Sequence, residues 1–388
     1  MRSQEAPGKG SRSGEAVSAY YPLVDVLRGF AAVSVIVLHV IHHTNWTAFP
    51  TTGPLSWFRA GDLGVDLFFV ISGFAIVHSA IPLLAQEGYL RFLATFSVRR
   101  LARIYPLYLL TLVAALFLVH RDLLSAPGGA MHIVSHLFMF HTFDLYWFSS
   151  INGVNWTIAI EMQFYLLVAL ILPLLIRSGG WPVLLAFVVI AWGWRWHAFH
   201  TVTDQADPLY FFKLFTLSVQ LPGRLDVFAA GIALALLLRL SAFRKIAASP
   251  LFFPACSAMA LALGYAFVFP GLNVWPSQEM AFVFHKTLIA ASFGGLVLVA
   301  CLIRAPWMIR ATTPLRYLGT ISYGLYLWHL PVLLLLKDRG LSPLFTCLLT
   351  LSVTMGLAAM SWHVLEKPMA ALGRRWQVRA RPLEPATT

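Results

Sequence analysis

Apolar positions in this chain gather into long runs, and most polar positions fall in the intervals between them. Ten runs are long enough to cross a bilayer as helices: residues 23–43, 63–84, 101–120, 157–177, 181–200, 223–240, 249–270, 283–303, 316–337 and 342–365. The sixth opens on Leu221-Pro-Gly-Arg-Leu-Asp226, which puts two charges and a proline at its start. A further apolar stretch, residues 133–140, is too short to cross and predicts an interfacial helix. The pattern predicts an all-α polytopic membrane helix bundle of about ten transmembrane helices, a single membrane domain over residues 20–370. Residues 1–19, rich in Gly, Ser and charge, predict a disordered tail, and residues 371–388 a basic one. The first run is too long and too charged for a signal-peptide core and is expected to stay as a membrane helix.

Composition strengthens this picture. Of 388 residues, 59% are hydrophobic and 11% charged, with a mean hydropathy of +0.74, which excludes a soluble domain. The net charge of +12 sits in clusters beside apolar runs rather than on an aromatic-interleaved surface, so no nucleic-acid partner is expected. With the N-terminus inside, inner segments carry nineteen Lys and Arg and outer segments five. That bias predicts both termini on the cytoplasmic side. Cys256, Cys301 and Cys347 all lie in apolar runs and read as packing residues.

Against this background the ionisable residues inside the runs stand out, since each is costly in a bilayer. Arg28 and His39 are eleven residues apart on the first run, nearly on one helix face and about 16 Å apart along its axis, with Asp25 on that face before Arg28. The predicted topology puts Arg28 near the inner surface and His39 near the outer one. It also puts Glu161, Arg224 and His329 in the outer half, where a carboxylate beside His39 would orient a general base. Asp66 is an outer acid that could pair with Arg224 or stand in an acceptor site. Ser72-Gly73 reads as close helix packing. At the inner end, Arg99, Arg100 and Arg103, at an expected helix N-terminus, suit either a phosphorylated ligand or lipid phosphate, and Arg28 beside them favours the ligand. His39 and His43 share a face, but no Cys or carboxylate of ligand spacing accompanies them, so no metal is expected.

Several motifs together resemble the acyltransferase-3 family of integral membrane acyltransferases, over about Tyr21 to Arg375. They are the Arg-x10-His of Arg28 and His39, Gly-Val-Asp-Leu-Phe-Phe-Val-Ile-Ser-Gly-Phe at 64–74, Arg-Arg-x-x-Arg-Ile-x-Pro at 99–106, and Asn-Trp-Thr-Ile-Ala-Ile-Glu-Met-Gln-Phe-Tyr at 155–165. Ile-Ser-Tyr-Gly-Leu-Tyr-Leu-Trp-His at 321–329 and Leu-Glu-Lys-Pro at 365–368 complete the set. The resemblance implies transfer of an acyl group, usually acetyl from cytoplasmic acetyl-CoA, to a hydroxyl of a sugar or glycoconjugate. It marks Arg28 and His39 as the essential pair, Arg99, Arg100 and Arg103 as contacts to the acyl-CoA, and Trp156 and Glu161 as active-site residues. Where the family often has two adjacent glutamates, this chain has Glu161-Met162.

The sequence thus reads as an O-acyltransferase of the bacterial cytoplasmic (inner) membrane. Acyl-CoA binds at Arg28, Arg99, Arg100 and Arg103, His39 acts as base, and Glu161 orients it. Asp66, Trp156, Arg224, Tyr323 and His329 are the candidate contacts to the acceptor. That acceptor is a sugar or surface-polysaccharide precursor or, alternatively, a small secreted product such as a macrolide. A rival of another class, a proton-coupled transporter or flippase, would show inverted repeats and polar residues at every depth, and the chain has neither pattern.

Overall fold

The computed structural model describes residues 20–247, 249, 252, 257 and 278–375. Helices account for the apolar runs: α1 Pro22–His43, α2 Leu63–Glu87, α3 Tyr89–Leu118, the short α4 Gly129–Leu137, α5 Asn155–Arg177 and α6 Trp181–Thr201. Then come α7 Tyr210–Ser218, α8 Leu225–Leu237, α9 Ser241–Ala247, α10 Glu279–Leu302, α11 Pro306–Ala311, α12 Thr313–Thr320 and α13 Ser322–Leu336. The last are α14 Pro343–Ser361, a π-helical turn at Trp362–Glu366, and α15 Lys367–Arg375. The described residues contain no strand. By length and composition they hold seven spans, or up to nine if each of two bent pairs crosses once. Apart from residues 249, 252 and 257, the expected seventh span at 249–270 lies outside the described residues, as do Cys256, the tail at 1–19 and the part of the expected 371–388 tail beyond Arg375.

Four expectations about boundaries change. The third helix starts at Tyr89 rather than 101, because Phe92-Leu-Ala-Thr-Phe96 continues the apolar face. Arg99, Arg100 and Arg103 therefore sit about three turns or more inside the helix, away from the N-terminal amides. The sixth run is entered through a further helix: α7 and α8 form a pair bent by 51° around Leu221–Arg224, where Pro222 removes an amide and Gly223 packs on the Ser218 carbonyl. The ninth is α12 plus α13, bent by 67° at the β-branched pair Thr320 and Ile321. Helix also continues past residue 370, through Arg375.

Two close helix crossings set the geometry around the site. A Cβ at Gly231 of α8 would lie 1.9 Å from the Val70 carbonyl oxygen, and one at Gly73 would lie 2.3 Å from that of Phe228. Only hydrogen fits between α2 and α8 there, which is how small residues drive helix association in lipid. A Cβ at Gly319 of α12 would lie 1.8 Å from the Asp25 carbonyl oxygen. This second crossing seats α12 against the start of α1, beside Arg28, and the bend that follows turns α13 back toward His39.

Candidate active site

Two cavities lie end to end along α1. The first, of about 410 Å³, is lined by Arg28, by Ser72 of α2, by Arg100 and Arg103 of α3, and by Glu161 and Tyr165 of α5. Its cations are held singly. Arg28 lies 3.6 Å from Asp25, which also accepts the Tyr20 hydroxyl at 2.5 Å. Arg103 donates to Glu366 at 2.9 Å and lies over the Trp362 ring at 4.7 Å, and the Glu366 side chain is wholly buried by the π-helical turn. Arg100 donates to Ser79 Oγ at 3.2 Å and rests on the rings of Phe96 and Tyr165. Arg28 and Arg103 keep about a third of their side chains exposed, 35% and 31%, so their guanidinium groups can meet a charged ligand without full desolvation.

Glu161 belongs to this arginine cavity. Ser72 Oγ donates to it at 2.5 Å, and the Tyr165 hydroxyl donates to the same oxygen. The expected pairing of Glu161 with His39 is therefore corrected. Five residues along α5 from Trp156, Glu161 is displaced by about 7.5 Å and turned by roughly 140°, so one helix presents the two side chains to different cavities. Ser72 is likewise more than a packing residue: Gly73 makes the close approach, and Ser72 is spent on the carboxylate.

The second cavity, of about 290 Å³, is lined by His39, Asp66, Trp156, Arg224, Lys286 and Tyr326, with Phe212 and Phe215 among the apolar walls. His39 finds its partner in another imidazole, His39 Nδ1 to His329 Nε2 at 2.8 Å. His329 Nδ1 lies 2.6 Å from the Tyr326 carbonyl oxygen. A carbonyl only accepts, so this nitrogen carries the hydrogen and, in the neutral ring, Nε2 accepts from His39 Nδ1–H. The chain of bonds leaves His39 Nε2 with its lone pair. His329 itself is fully buried and lines neither cavity.

Asp66 accepts from Arg224 Nη1 and from Lys286 Nζ, each at 2.7 Å. Arg224 is the partner its sequence position suggests. Lys286 was missed, although a lysine within an apolar run is itself the signal that could have found it. Tyr323 lies in the arginine cavity, its hydroxyl donating to the Ile104 carbonyl at 2.8 Å, and not with the acceptor-side residues. Arg99 lines neither cavity; the i, i+3 face of α3 presents Arg100 and Arg103 instead. Val65 and Tyr326 line both cavities, so the two share a wall. Thr157 donates to the Tyr326 hydroxyl at 3.0 Å. Among the described residues no group of three or more His, Cys, Asp and Glu could hold a metal ion.

Long apolar helices enclosing two adjoining polar cavities, one cationic and one holding an oriented imidazole, define an integral membrane protein with an internal site. The chain belongs to the acyltransferase-3 family: the family profile described as "Acyltransferase domain" matches residues 21–362. It is similar to the peptidoglycan O-acetyltransferase OatA of Listeria monocytogenes, 27% identical over 381 residues, covering 91% of this chain and 56% of that protein. It is also similar to the O-acetyltransferase OatA of Staphylococcus aureus, 26% identical over 382 residues, covering 91% of this chain and 58% of that one. The Bacillus subtilis protein YrhL is 28% identical over 384 residues, with 92% and 56% covered. The chain spans somewhat more than half the length of these curated relatives. No solved structure matches.

Proposed function

We propose that this protein is an O-acetyltransferase of the bacterial cytoplasmic membrane, taking acetyl from acetyl-CoA at the arginine cavity and passing it to a sugar hydroxyl of a cell-wall polysaccharide or its precursor at the histidine cavity. The observation that carries the reading is the shared wall at Val65 and Tyr326 between a cavity holding Arg28 and one holding His39. The names of the relatives support acetyl as the group and a cell-wall polysaccharide as the acceptor. The excess of basic residues around the arginine end supports a cytoplasmic location for it, with both termini on that side.

In this reading Arg28, Arg100 and Arg103 hold the phosphates of acetyl-CoA by charge-assisted hydrogen bonds. Glu161 positions Tyr165, on whose ring Arg100 rests. The rise of about 16 Å from Arg28 to His39 is of the order of an extended pantetheine arm. His39 Nε2 takes the proton of the acceptor hydroxyl as its oxygen attacks the thioester carbonyl carbon. The carbon–oxygen bond forms, the carbon–sulfur bond breaks, and the proton passes from His39 to the departing thiolate. His329 fills the orienting role otherwise expected of a carboxylate.

Sealed vesicles of one orientation test both the activity and its sidedness. Labelled acetyl-CoA supplied on the face of the arginine cavity is expected to label a sugar acceptor supplied on the opposite face, and acetyl-CoA on that opposite face is expected to give no product. Product confined to the donor side would overturn the two-ended site, and absence of any acetyl transfer would overturn the activity.

A further inference from the structure

We infer that Arg224 and Lys286 form an anion subsite in the histidine cavity, for an acceptor bearing a carboxylate or phosphate near the hydroxyl that receives the acetyl group. The inference rests on the function proposed above and narrows its substrate class. It comes from a comparison of charges. In the arginine cavity three cations meet three acids: Arg28 has Asp25, Arg103 has Glu366, and Arg100 rests on Tyr165, whose hydroxyl donates to Glu161. In the histidine cavity, one carboxylate serves two cations: Asp66 Oδ1 accepts from Arg224 and Oδ2 from Lys286. All three are buried, Arg224 at 6% exposure, Lys286 at 8% and Asp66 at 1%.

Among the described residues no other acid is placed to balance the second cation. Asp62, which also lines the cavity, is exposed. Asp226, two residues beyond Arg224, is committed to a two-pronged pair with the buried Arg195, at 3.0 and 2.7 Å, and accepts from Thr287 as well. Residues 248–277 contain no Asp or Glu. Arg224 Nε is buried with no hydrogen-bond partner among the described residues, and the Lys286 ammonium has three donors, of which Asp66 takes one. A buried cation without a counter-charge is costly, and an anion entering the cavity beside His39 offsets that cost. Trp156 and Phe215, edge to face at 5.4 Å, supply apolar walls for the face of a sugar ring.

The test compares acceptors that differ in charge. The full chain in phosphatidylcholine vesicles is given labelled acetyl-CoA with N-acetylglucosamine, with N-acetylmuramic acid, which adds a carboxylate, or with N-acetylglucosamine 1-phosphate. At least one anionic sugar is expected to show kcat/KM about tenfold above the neutral one, the scale of one charged hydrogen bond. The sugar that gains identifies carboxylate or phosphate as the recognised group. Lys286→Met is expected to bring the ratio close to one, and Lys286→Arg to keep it. Equal use of neutral and charged sugars by the unaltered protein would overturn the subsite and leave the proposed acetyl transfer standing. Lys286→Met lowering all three alike would also overturn it, as would loss of the preference in phosphatidylglycerol vesicles, which would assign the cations to lipid phosphate. Absence of transfer to any acceptor would overturn both this inference and the function on which it rests.

Discussion

The two cavities are built on the same helix and hold charge in opposite ways. At the arginine end, guanidinium groups are partly exposed and each has a carboxylate or an aromatic ring beside it. At the histidine end, the His39 imidazole leans on a fully buried second imidazole whose own hydrogen bond ends on a backbone carbonyl. The first arrangement suits a ligand that brings several permanent charges. The second suits a proton that must come and go, because a neutral relay fixes the tautomer without trapping a cation as a carboxylate would. If His39 is the base proposed above, the difference teaches that a base in a membrane can be oriented without an acid. Glu161 stands with the arginines, where its carboxylate accepts from Ser72 and Tyr165.

The sharpest test of this division is His39→Ala. Acetyl transfer is expected to fall by about 10²–10⁴-fold, the range for loss of a positioned base, while acetyl-CoA binding, measured by isothermal titration, changes little. Loss of donor binding to the same degree would merge the two cavities into one functional unit. The next largest effect is expected at His329, a positioning residue. His329→Phe should lower kcat about 10²-fold and alter the pH profile of transfer, since the His39 tautomer is no longer fixed, and His329→Gln, which keeps an acceptor, should recover much of the rate. A pH profile left unaltered by both changes would reduce His329 to packing.

On the arginine side the effects are smaller and of another kind. Arg103→Gln is expected to raise the KM for acetyl-CoA about tenfold through lost phosphate contacts, with kcat less affected. Equal effects on kcat and on the pH profile would place Arg103 in the chemistry instead. The effect expected to touch acetyl transfer least concerns the loop that walls the histidine cavity through Ser149, Gly153 and Val154. Ser150, within that loop, is hydrogen-bonded to His132 at 2.5 Å and to His136 at 3.0 Å. Burial pushes His136 down to about 2 and His141 down to about 4 from an ordinary 6.5. Both are neutral in the folded loop, and the unfolded loop binds more protons once pH falls below 6.5. Their contribution is therefore complete above that value and declines from 6.5 toward 4 by roughly 1.4 kcal/mol per pH unit for each group. Hydrogen exchange across residues 129–153 is expected to quicken over that window while acetyl-CoA binding persists. Equal loosening of both cavities would contradict the separation.

Much of the molecule was legible before folding was considered. The runs behind α1, α2, α5 and α6 needed only the energy of placing side chains in hydrocarbon, and their ends fall within a few residues of those expected. The stripe joining Arg28 to His39 follows from helix geometry alone, and both residues line cavities. The bends in the sixth and ninth spans were harder to read, because hydropathy averages over a window and passes over the short breaks at Leu221–Arg224 and Ile321. Glu161 lies on the expected helix but beside another neighbour than expected, since position along an axis leaves open which way a side chain points around it.

The sequence by itself determined the helical membrane class, the family, and the residues able to carry charge or a proton, because these depend on local composition, on spacing along one helix and on motifs. Only the tertiary structure decided who meets whom. His39 is bonded to a residue 290 positions away, and Asp66 to residues 158 and 220 positions away. Those meetings depend on how helices rotate and cross, which is settled by close contacts such as Gly73 on Phe228 and Gly319 on Asp25. Such contacts are short-ranged and sum over many partners at once, so no single segment of the chain encodes them.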